Sequence, residues 1–220
     1  MYEKLKWNTV SESLAEVLRE LMKIEELDFF RLVGGTALSL RLGHRESFDI
    51  DLFTDAEYGS VNFREIKESI SRVFPYIDKD SGRDLTIGFT RRIGLEPYNM
   101  VKLDLYYTDS FIGEYFTIEG IRMAGIEDIA AMKLEVVSQG GRRRDFWDIH
   151  ELLELYSFNE LLQSYEKRYP WVSVNAVIEG MTDFSLADED YELNCFKGKF
   201  WELIKIDLEE VVETFNKGKN

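Results

Sequence analysis

The apolar and polar positions of this 220-residue chain predict one helix, then strands mixed with helices, then helices alone. Residues 10–27 carry apolar side chains at the spacing of an amphipathic helix. Apolar or alternating runs predict strands at 29–33, 50–53, 85–89, 101–107 and, less distinctly, 115–118. Periodic patterns predict helices at 36–42, 61–73, 126–138, 145–155 and 203–215, with Asn62 and the Ser157–Glu160 pair at N-terminal caps.

This element order predicts an α+β fold, a mixed sheet flanked by helices with a mainly helical C-terminal half. We expect a sheet domain with its N-terminal helix over residues 1–120 and a helical region over 121–220.

The charge balance narrows the function classes. The chain has 27 basic and 42 acidic side chains, so its formal net charge is 27 − 42 = −15. Proteins that bind nucleic acid over a broad surface gain most of their affinity by neutralising phosphates. The negative net charge therefore argues against broad, sequence-independent binding of nucleic acid. A local basic pocket for a triphosphate or one RNA end stays open. The densest basic runs are Arg142 to Arg144 and Arg91 to Arg92, and a solvated face is the alternative for each.

Other composition features point to the cytoplasm. No apolar run approaches the roughly 20 residues of a membrane helix, so we expect no membrane partner. The start of the chain lacks the apolar core of a signal peptide. The single cysteine, Cys195, cannot form an internal disulfide and is compatible with a reducing compartment.

Two aspartates are the central candidates for chemistry. Because side chains alternate along a strand, Asp49 and Asp51 point the same way, and Phe48, Ile50 and Leu52 point into the core. Adjacent carboxylates repel each other unless a cation binds between them or one is protonated. Oxygen ligands of high charge suit Mg²⁺ or Mn²⁺. The alternative is a pair of solvated aspartates at a strand edge.

A third carboxylate strengthens the metal interpretation. Asp104 lies on the polar face of the alternating strand at 101–107. If this strand pairs beside that of Asp49 and Asp51, three carboxylates converge. Such a group holds two metal ions for in-line phosphoryl chemistry.

A glycine turn supplies the expected nucleotide site. Gly34 and Gly35 end a strand and Thr36 opens a helix, so backbone N–H groups face an approaching phosphate. Arg45 and Ser47 lie in the loop before Asp49 and complete the predicted nucleotide-binding set. Arg45 is also suited to pair with Asp49 or Asp51.

These motifs resemble the AbiEii/AbiGii-type toxin nucleotidyltransferases of the DNA-polymerase-β-like superfamily. The resemblance rests on Gly-Gly-Thr-Ala-Leu followed by Gly-His-Arg-x-Ser-x-Asp-Ile-Asp-Leu-Phe, at residues 34–53. Two further blocks, 126–134 with Lys133 and 142–149 with Asp145, are similar to the family. The resemblance covers about residues 30–155.

The resemblance implies a metal-dependent nucleotidyltransferase. Asp49, Asp51 and Asp104 would bind Mg²⁺ or Mn²⁺, with Asp104 as general base; Lys133 would contact the nucleotide phosphates, and Asp145 would be a catalytic or structural acid. The donor would be a nucleoside triphosphate such as ATP or GTP. The acceptor would be tRNA or a protein, and the chain would be the toxin of a toxin–antitoxin or phage-defence pair with a cognate antitoxin.

The residues themselves leave alternatives to these roles. Lys133 lies within an apolar helix face, where the alternative is a side chain that reaches water from its edge. Asp145 is equally suited to cap the helix predicted at 145–155, and Asp148 to pair with Arg144. His44 and His150 lack a second ligand at zinc spacing.

Two other function classes stay open at this point. One is a catalytically inactive nucleotide- or partner-binding module on the same fold, which the presence of all three carboxylates opposes. The other is a magnesium-dependent phosphodiesterase that uses the same carboxylates and releases no pyrophosphate.

Overall fold

A mixed seven-stranded sheet forms the centre of the molecule. The computed structural model describes residues 4–218, without the side chains of residues 79–81. The strands are β1 (Arg31–Val33), β2 (Asp49–Thr54), β3 (Tyr76–Leu85), β4 (Gly88–Gly94), β5 (Val101–Tyr107), β6 (Phe116–Ile118) and β7 (Ile121–Met123). Their order is β3-β4-β5-β2-β1-β7-β6. β2 is parallel to β5 and β1 to β7, and the other neighbours are antiparallel.

Helices precede, interrupt and follow the sheet. They are α1 (Glu12–Leu21), α2 (Gly34–Leu42), α3 (Phe63–Val73), α4 (Ile126–Ser138), α5 (Arg143–Leu153), α6 (Phe158–Arg168), α7 (Val174–Gly180), α8 (Ser185–Asp188) and α9 (Trp201–Gly218), with 3₁₀ turns at Trp7–Thr9 and Glu25–Leu27. The α+β prediction is confirmed. In the described part of the chain, no helix is long and apolar enough to cross a membrane.

Local sequence explains where several helices begin. The Ser11 side chain accepts from Leu14 N and starts α1, and Asn62 accepts from Glu65 N at the start of α3 as predicted. The predicted capping box of Ser157 is also present at α6. The structure places the start of α5 at Arg143, not at Asp145.

Two strands escaped the sequence pattern. β3 lies at the sheet edge and its sequence is mostly polar, so no alternation of apolar residues marks it. β7 has three residues and lies just past the predicted domain boundary at residue 120. The division into two domains stays a prediction.

The prediction for Phe48 was wrong. Ile50 and Leu52 are fully buried in the core as expected, but Phe48 is 55% exposed. The reason is that β2 begins at Asp49, so Phe48 still belongs to the preceding loop and does not follow the alternation of the strand.

Two of the C-terminal helices contact the loop that follows β5. Arg168 of α6 donates to Asp128 Oδ1 of α4 at 2.8 Å, and both side chains are fully buried. The same guanidinium donates to the carbonyl groups of Ser110 and Asp109 at 2.9 and 3.0 Å. The helical half therefore fixes the loop that follows the strand of Asp104.

Candidate active site

Two parallel strands bring three carboxylates to one face of the sheet. The register of β2 and β5 pairs Asp51 with Asp104, and Asp49 with Lys102. Residues paired in this way point to the same face. The three aspartates, here called the carboxylate centre, are half-buried, while the residues between them on the strands are buried. The sequence predicted that the three carboxylates converge if these two strands pair, and the strands do pair in this way.

The carboxylate centre carries excess negative charge. Burial, followed by the nearby carboxylates of Asp104 and Asp49, raises the pKa of Asp51 to about 6. Two basic side chains offset part of the repulsion: Lys102 donates to Asp104 Oδ2, and Arg144 Nη1 lies 3.6 Å from Asp49 Oδ2. Sequence reasoning assigned no role to Lys102 and offered Arg144 as a member of a basic run and as a partner for Asp148.

The double glycine is explained by two side chains that it faces. Gly34 has φ +70°, and a Cβ there would lie 2.5 Å from Asp51 Oδ2. A Cβ on Gly35 would lie 2.4 Å from Arg45 Nη2. The turn therefore brings the start of α2 against both the carboxylate centre and Arg45, where a larger residue would collide.

Thr36 and Ser47 lie behind this turn. Their hydroxyl groups are 2.8 Å apart, both residues are buried, and Thr36 Oγ1 also donates to the carbonyl of Asp49. In this arrangement the two hydroxyls fix the loop before β2. Their predicted contact with a nucleotide stays a prediction.

Beside the carboxylate centre lies a buried network of ion pairs around Asp148. Arg45 donates through Nε and Nη2 to its two carboxylate oxygens at 2.7 and 2.8 Å. Lys133 Nζ lies 2.7 Å from Asp148 Oδ2 and donates to Asp145 Oδ1 at 2.6 Å. His44 Nε2 is 2.7 Å from Asp148 Oδ1. The buried network thus comprises Arg45, His44, Lys133, Asp145 and Asp148, all of them buried.

This arrangement resolves several alternatives. Arg45 pairs with Asp148 rather than with Asp49 or Asp51. Lys133 is buried and does not reach out to water. Asp145 is the third residue of α5, not its N-cap, and its Oδ2 accepts from Arg142 N at 3.1 Å, so it holds the helix start and Lys133 together.

The central role of Asp148 was missed. The sequence offered only its neighbour Arg144 as a partner, whereas Arg45 is distant in the chain and Arg144 turns to Asp49. Three donors on one carboxylate explain why the pKa of Asp148 is lowered well below its usual value although burial opposes this. Its spacing of one helical turn from Asp145 was the available signal.

One cavity of about 440 Å³ is lined by the carboxylate centre and by Arg45, Lys133 and Asp145 of the buried network. Gly34, Gly35, Ser47 and Arg144 line it as well. A larger groove of about 810 Å³ lies between α6 and α9, but no basic side chain lines it. The smaller cavity is therefore the better site for a phosphate-bearing ligand, because it joins acidic and basic groups.

A second acidic cluster on α5 is already neutralised. Among the described residues, His150, Glu151 and Glu154 are the group whose metal-ligating atoms all lie within 4.8 Å of one another. However, Lys199 Nζ lies 2.5 Å from a carboxylate oxygen of each glutamate, and Lys197 Nζ lies 2.5 Å from the other oxygen of Glu151. This group is an ion-pair cluster. The carboxylate centre is more widely spaced but less neutralised, and it is the better candidate for a metal site.

Comparison with known structures identifies the fold. A protein from H. pylori assigned as a nucleotidyltransferase superposes with a TM-score of 0.54 at 20% identity, over 93% of this chain and 92% of that one. The nucleotidyltransferase toxin MenT4 from Mycobacterium tuberculosis H37Rv gives a TM-score of 0.54 at 15% identity, over 91% and 82%. The molecule thus has a nucleotidyltransferase fold.

Sequence comparison identifies the family. The family model described as nucleotidyl transferase AbiEii toxin, type IV toxin–antitoxin system, matches residues 16–193, so this chain belongs to the AbiEii family. An uncharacterised protein of Aquifex aeolicus (strain VF5) is 29% identical over 180 residues, covering 80% of this chain and 83% of that protein. The resemblance found in the sequence is confirmed, and the chain is a nucleotidyltransferase. Membership implies a nucleotide substrate and a cognate antitoxin.

Proposed function

We propose that this toxin moves a nucleotidyl group from a nucleoside triphosphate to an acceptor hydroxyl and releases pyrophosphate. The observation that supports this most directly is that the carboxylate centre, the glycine turn and Lys133 line one cavity. Carboxylates suit metal-bound phosphates, and a helix start beside a glycine turn suits a phosphate.

The residues fit Mg²⁺ or Mn²⁺, held by Asp49, Asp51 and Asp104. Their ligands are oxygens alone, as hard divalent ions prefer. Burial and the carboxylates of Asp104 and Asp49 raise the pKa of Asp51 to about 6, which is consistent with a centre that a bound cation would stabilise. Such ions, when bound, neutralise phosphate charge and activate the attacking hydroxyl.

Asp104 is the proposed general base. Its Oδ1 accepts from Thr90 Oγ1 and its Oδ2 from Lys102 Nζ, so two donors from β4 and β5 orient the carboxylate. In the proposed step, an Oδ atom of Asp104 accepts the proton of the acceptor hydroxyl as that oxygen attacks the α-phosphorus and pyrophosphate leaves.

Lys133 and Arg45 are the proposed phosphate contacts. An ammonium has three N–H donors, and Asp145 and Asp148 take two of those of Lys133, which leaves one for a phosphate oxygen. Arg45 uses three of its five N–H groups on Asp148 and the Glu46 carbonyl. Both cations are thus held in place before the nucleotide arrives. Asp145 acts by positioning Lys133.

Membership of the family supports a proposal for the acceptor and the compartment. We propose RNA, tRNA among its forms, as the acceptor, with a protein as the alternative, and the cytoplasm as the compartment. The strongly acidic chain restricts an RNA to a local contact.

A labelling experiment tests the transfer. The purified protein is incubated with Mg²⁺, each labelled nucleoside triphosphate, and either total bacterial RNA or a lysate. We expect label on one acceptor class, lost in Asp49→Ala and kept in Glu57→Ala, an exposed acid in the loop after β2. Labelling that survives in Asp49→Ala would contradict the assignment of the carboxylate centre.

Other outcomes identify the remaining classes. Hydrolysis of a phosphodiester without pyrophosphate release would indicate a phosphodiesterase. No label, together with no metal-dependent nucleotide binding in calorimetry, would indicate an inactive binding module.

A further inference from the structure

We propose that Arg83, Arg92 and Lys102, here called the basic strip, bind the phosphates of a single-stranded RNA end and guide its terminal hydroxyl to the carboxylate centre. This inference rests on the proposed transfer function and names its acceptor as RNA.

The first observation is a row of paired residues across three strands. Asp49 on β2 pairs with Lys102 on β5, and Lys102 pairs with Arg92 on β4. Residues paired across strands share a face, and neighbouring strands lie about 4.8 Å apart. Arg92 is therefore about 10 Å from Asp49 along the hydrogen-bonding direction, on the face that carries the candidate site.

A second row reaches the sheet edge. Asp51 pairs with Asp104, Asp104 with Thr90 on β4, and Thr90 with Arg83 on β3. The hydrogen bond from Thr90 Oγ1 to Asp104 confirms that these side chains share the face. The basic strip thus leads from the carboxylate centre to the outermost strand.

The two arginines of the basic strip are exposed, and no acidic side chain that the structure describes neutralises them. Among the described residues neither Arg83 nor Arg92 makes an ion pair, and Asp78, the strand neighbour of Arg92, makes none with it. In a chain with net charge −15, two such arginines beside an acidic centre form a local site for a polyanion.

The opposite face of the same hairpin shows the contrast. There Lys67 and Arg91 both pair with Asp84, at 3.0 and 2.8 Å. On the neighbouring helix α3, Arg64 and Arg72 face Glu68 and Glu26. A solvated edge alone does not explain why Lys67 and Arg91 are paired with an acid on one face while Arg83 and Arg92 have no described acidic partner on the other.

Two aromatic rings support an RNA ligand. Phe53 and Tyr106 are paired in register next to the carboxylate centre, with ring centroids 6.2 Å apart in an edge-on arrangement, and both are partly exposed. Proteins that bind single strands combine a basic groove with aromatic surfaces on which bases stack.

The test measures binding of a fluorescein-labelled single-stranded RNA oligonucleotide by anisotropy at several salt concentrations. The strip variant carries Arg83→Ala and Arg92→Ala. We expect affinity about tenfold weaker at low salt and a salt slope reduced by about 1.4, from about 0.7 for each of two phosphate contacts. Affinity for ATP with Mg²⁺, measured without RNA, stays unchanged.

The matched control carries Arg64→Ala and Arg72→Ala on α3, whose side chains are 87% and 68% exposed. It removes the same charge from the other face, so RNA affinity and slope should stay close to wild type. Thermal melting followed by circular dichroism checks that both variants fold. If the double variant Arg83→Ala, Arg92→Ala does not fold, the single variant Arg92→Ala is measured in its place.

The outcomes separate this inference from the transfer function. An unchanged affinity and slope in the strip variant, or no RNA binding by the wild type, overturns the basic strip, while label that is lost in Asp49→Ala still supports transfer. Strip-dependent RNA binding without Asp49-dependent labelling supports the strip and contradicts the transfer function.

Discussion

The carboxylate centre and the buried network lie beside the same cavity but balance charge in opposite ways. In the carboxylate centre three acids share a face, and the contacts of Lys102 and Arg144 offset part of their repulsion. In the buried network each acid has basic partners. The carboxylate of Asp148 by itself contacts three basic side chains.

The two regions illustrate two roles of charged residues, ligand binding and stabilisation of the fold. Unbalanced like charges cost stability in the free protein and favour a ligand of opposite charge. Balanced buried charges are desolvated together and hold one geometry, but removal of one partner leaves the others uncompensated. The carboxylate centre is therefore expected to govern activity, and the buried network to govern stability and the placement of Lys133.

The largest expected effect is on activity at the carboxylate centre. Asp49→Ala or Asp51→Ala should lower nucleotidyl transfer by about 10³-fold or more, because metal ions contribute several kcal/mol to charge stabilisation in such reactions. The melting temperature should stay the same or rise slightly, because carboxylate repulsion is relieved. Transfer rates and melting curves of both variants, with Glu57→Ala as control, check this. Wild-type transfer rates in both aspartate variants would contradict the expectation that the carboxylate centre governs activity.

The reverse pattern is expected in the buried network. Asp148→Ala should destabilise the fold by about 3–5 kcal/mol, because Arg45 and Lys133 lose a buried counter-charge. Urea unfolding with the midpoint as readout measures this. The control Arg144→Ala removes a half-exposed partner of Asp49 and should change stability by less than about 1 kcal/mol. Similar losses in the two variants would show that the network is not the stabilising region.

The pKa of Asp148 adds a pH signature to that comparison. Its folded-state pKa is lowered, so its contribution is present above the unfolded pKa and is lost as pH falls through the lower folded value. The stability difference between wild type and Asp148→Ala should therefore shrink in acid. A difference that is constant with pH would mean that the carboxylate charge is not the source.

Lys133 links the regions and should show an intermediate effect. Lys133→Met keeps the apolar stem but removes the ammonium, and Arg45 still neutralises Asp148. Loss of one charge-assisted contact of about 1.5–3 kcal/mol should weaken triphosphate binding roughly 10–100-fold. Mn²⁺ affinity should change much less, because the lysine does not touch the carboxylate centre. Calorimetry with the nucleotide and with Mn²⁺ separates the two, and an unchanged nucleotide affinity would refute the phosphate contact.

The sequence predicted the carboxylate centre because its signals are local. Alternation along β2 and β5 placed each aspartate on a polar face, and the glycine turn preceded them at close range. Only the pairing of the two strands was missing, and it depends on residues far apart in the chain. Polar β3 lacked even a local signal, because an edge strand needs no buried face.

The buried network was less accessible for the same reason. Arg45 and Asp148 meet only when α5 packs against the loop before β2, so neither the spacing nor the composition of the chain shows the pair. The local alternatives, Arg144 for Asp148 and an N-cap for Asp145, were chemically sound but lost to partners brought by tertiary packing. Buried charges require compensation, which is why the partners are strongly fixed in the fold.

The smallest expected effect tests the imbalance of the carboxylate centre without any substrate. The pKa of Asp51 is raised from 3.8 to about 6, so the folded state binds its proton more tightly than the unfolded state. Stability from this group is therefore full below about pH 3.8 and is lost as pH rises through about 6. Asp51→Asn removes the charge. In metal-free protein at pH 7 we expect it to raise the free energy of unfolding by about 1–2 kcal/mol. The full pKa shift corresponds to about 3 kcal/mol, and the expected gain is smaller because solvent screens a half-buried group. The gain should vanish near pH 4, and Mn²⁺ should reverse it by stabilising only the wild type. Urea unfolding at the two pH values, with and without Mn²⁺, measures all three. A variant less stable than the wild type at pH 7 without metal would show that the three carboxylates do not repel one another, and the contrast with the buried network would fail.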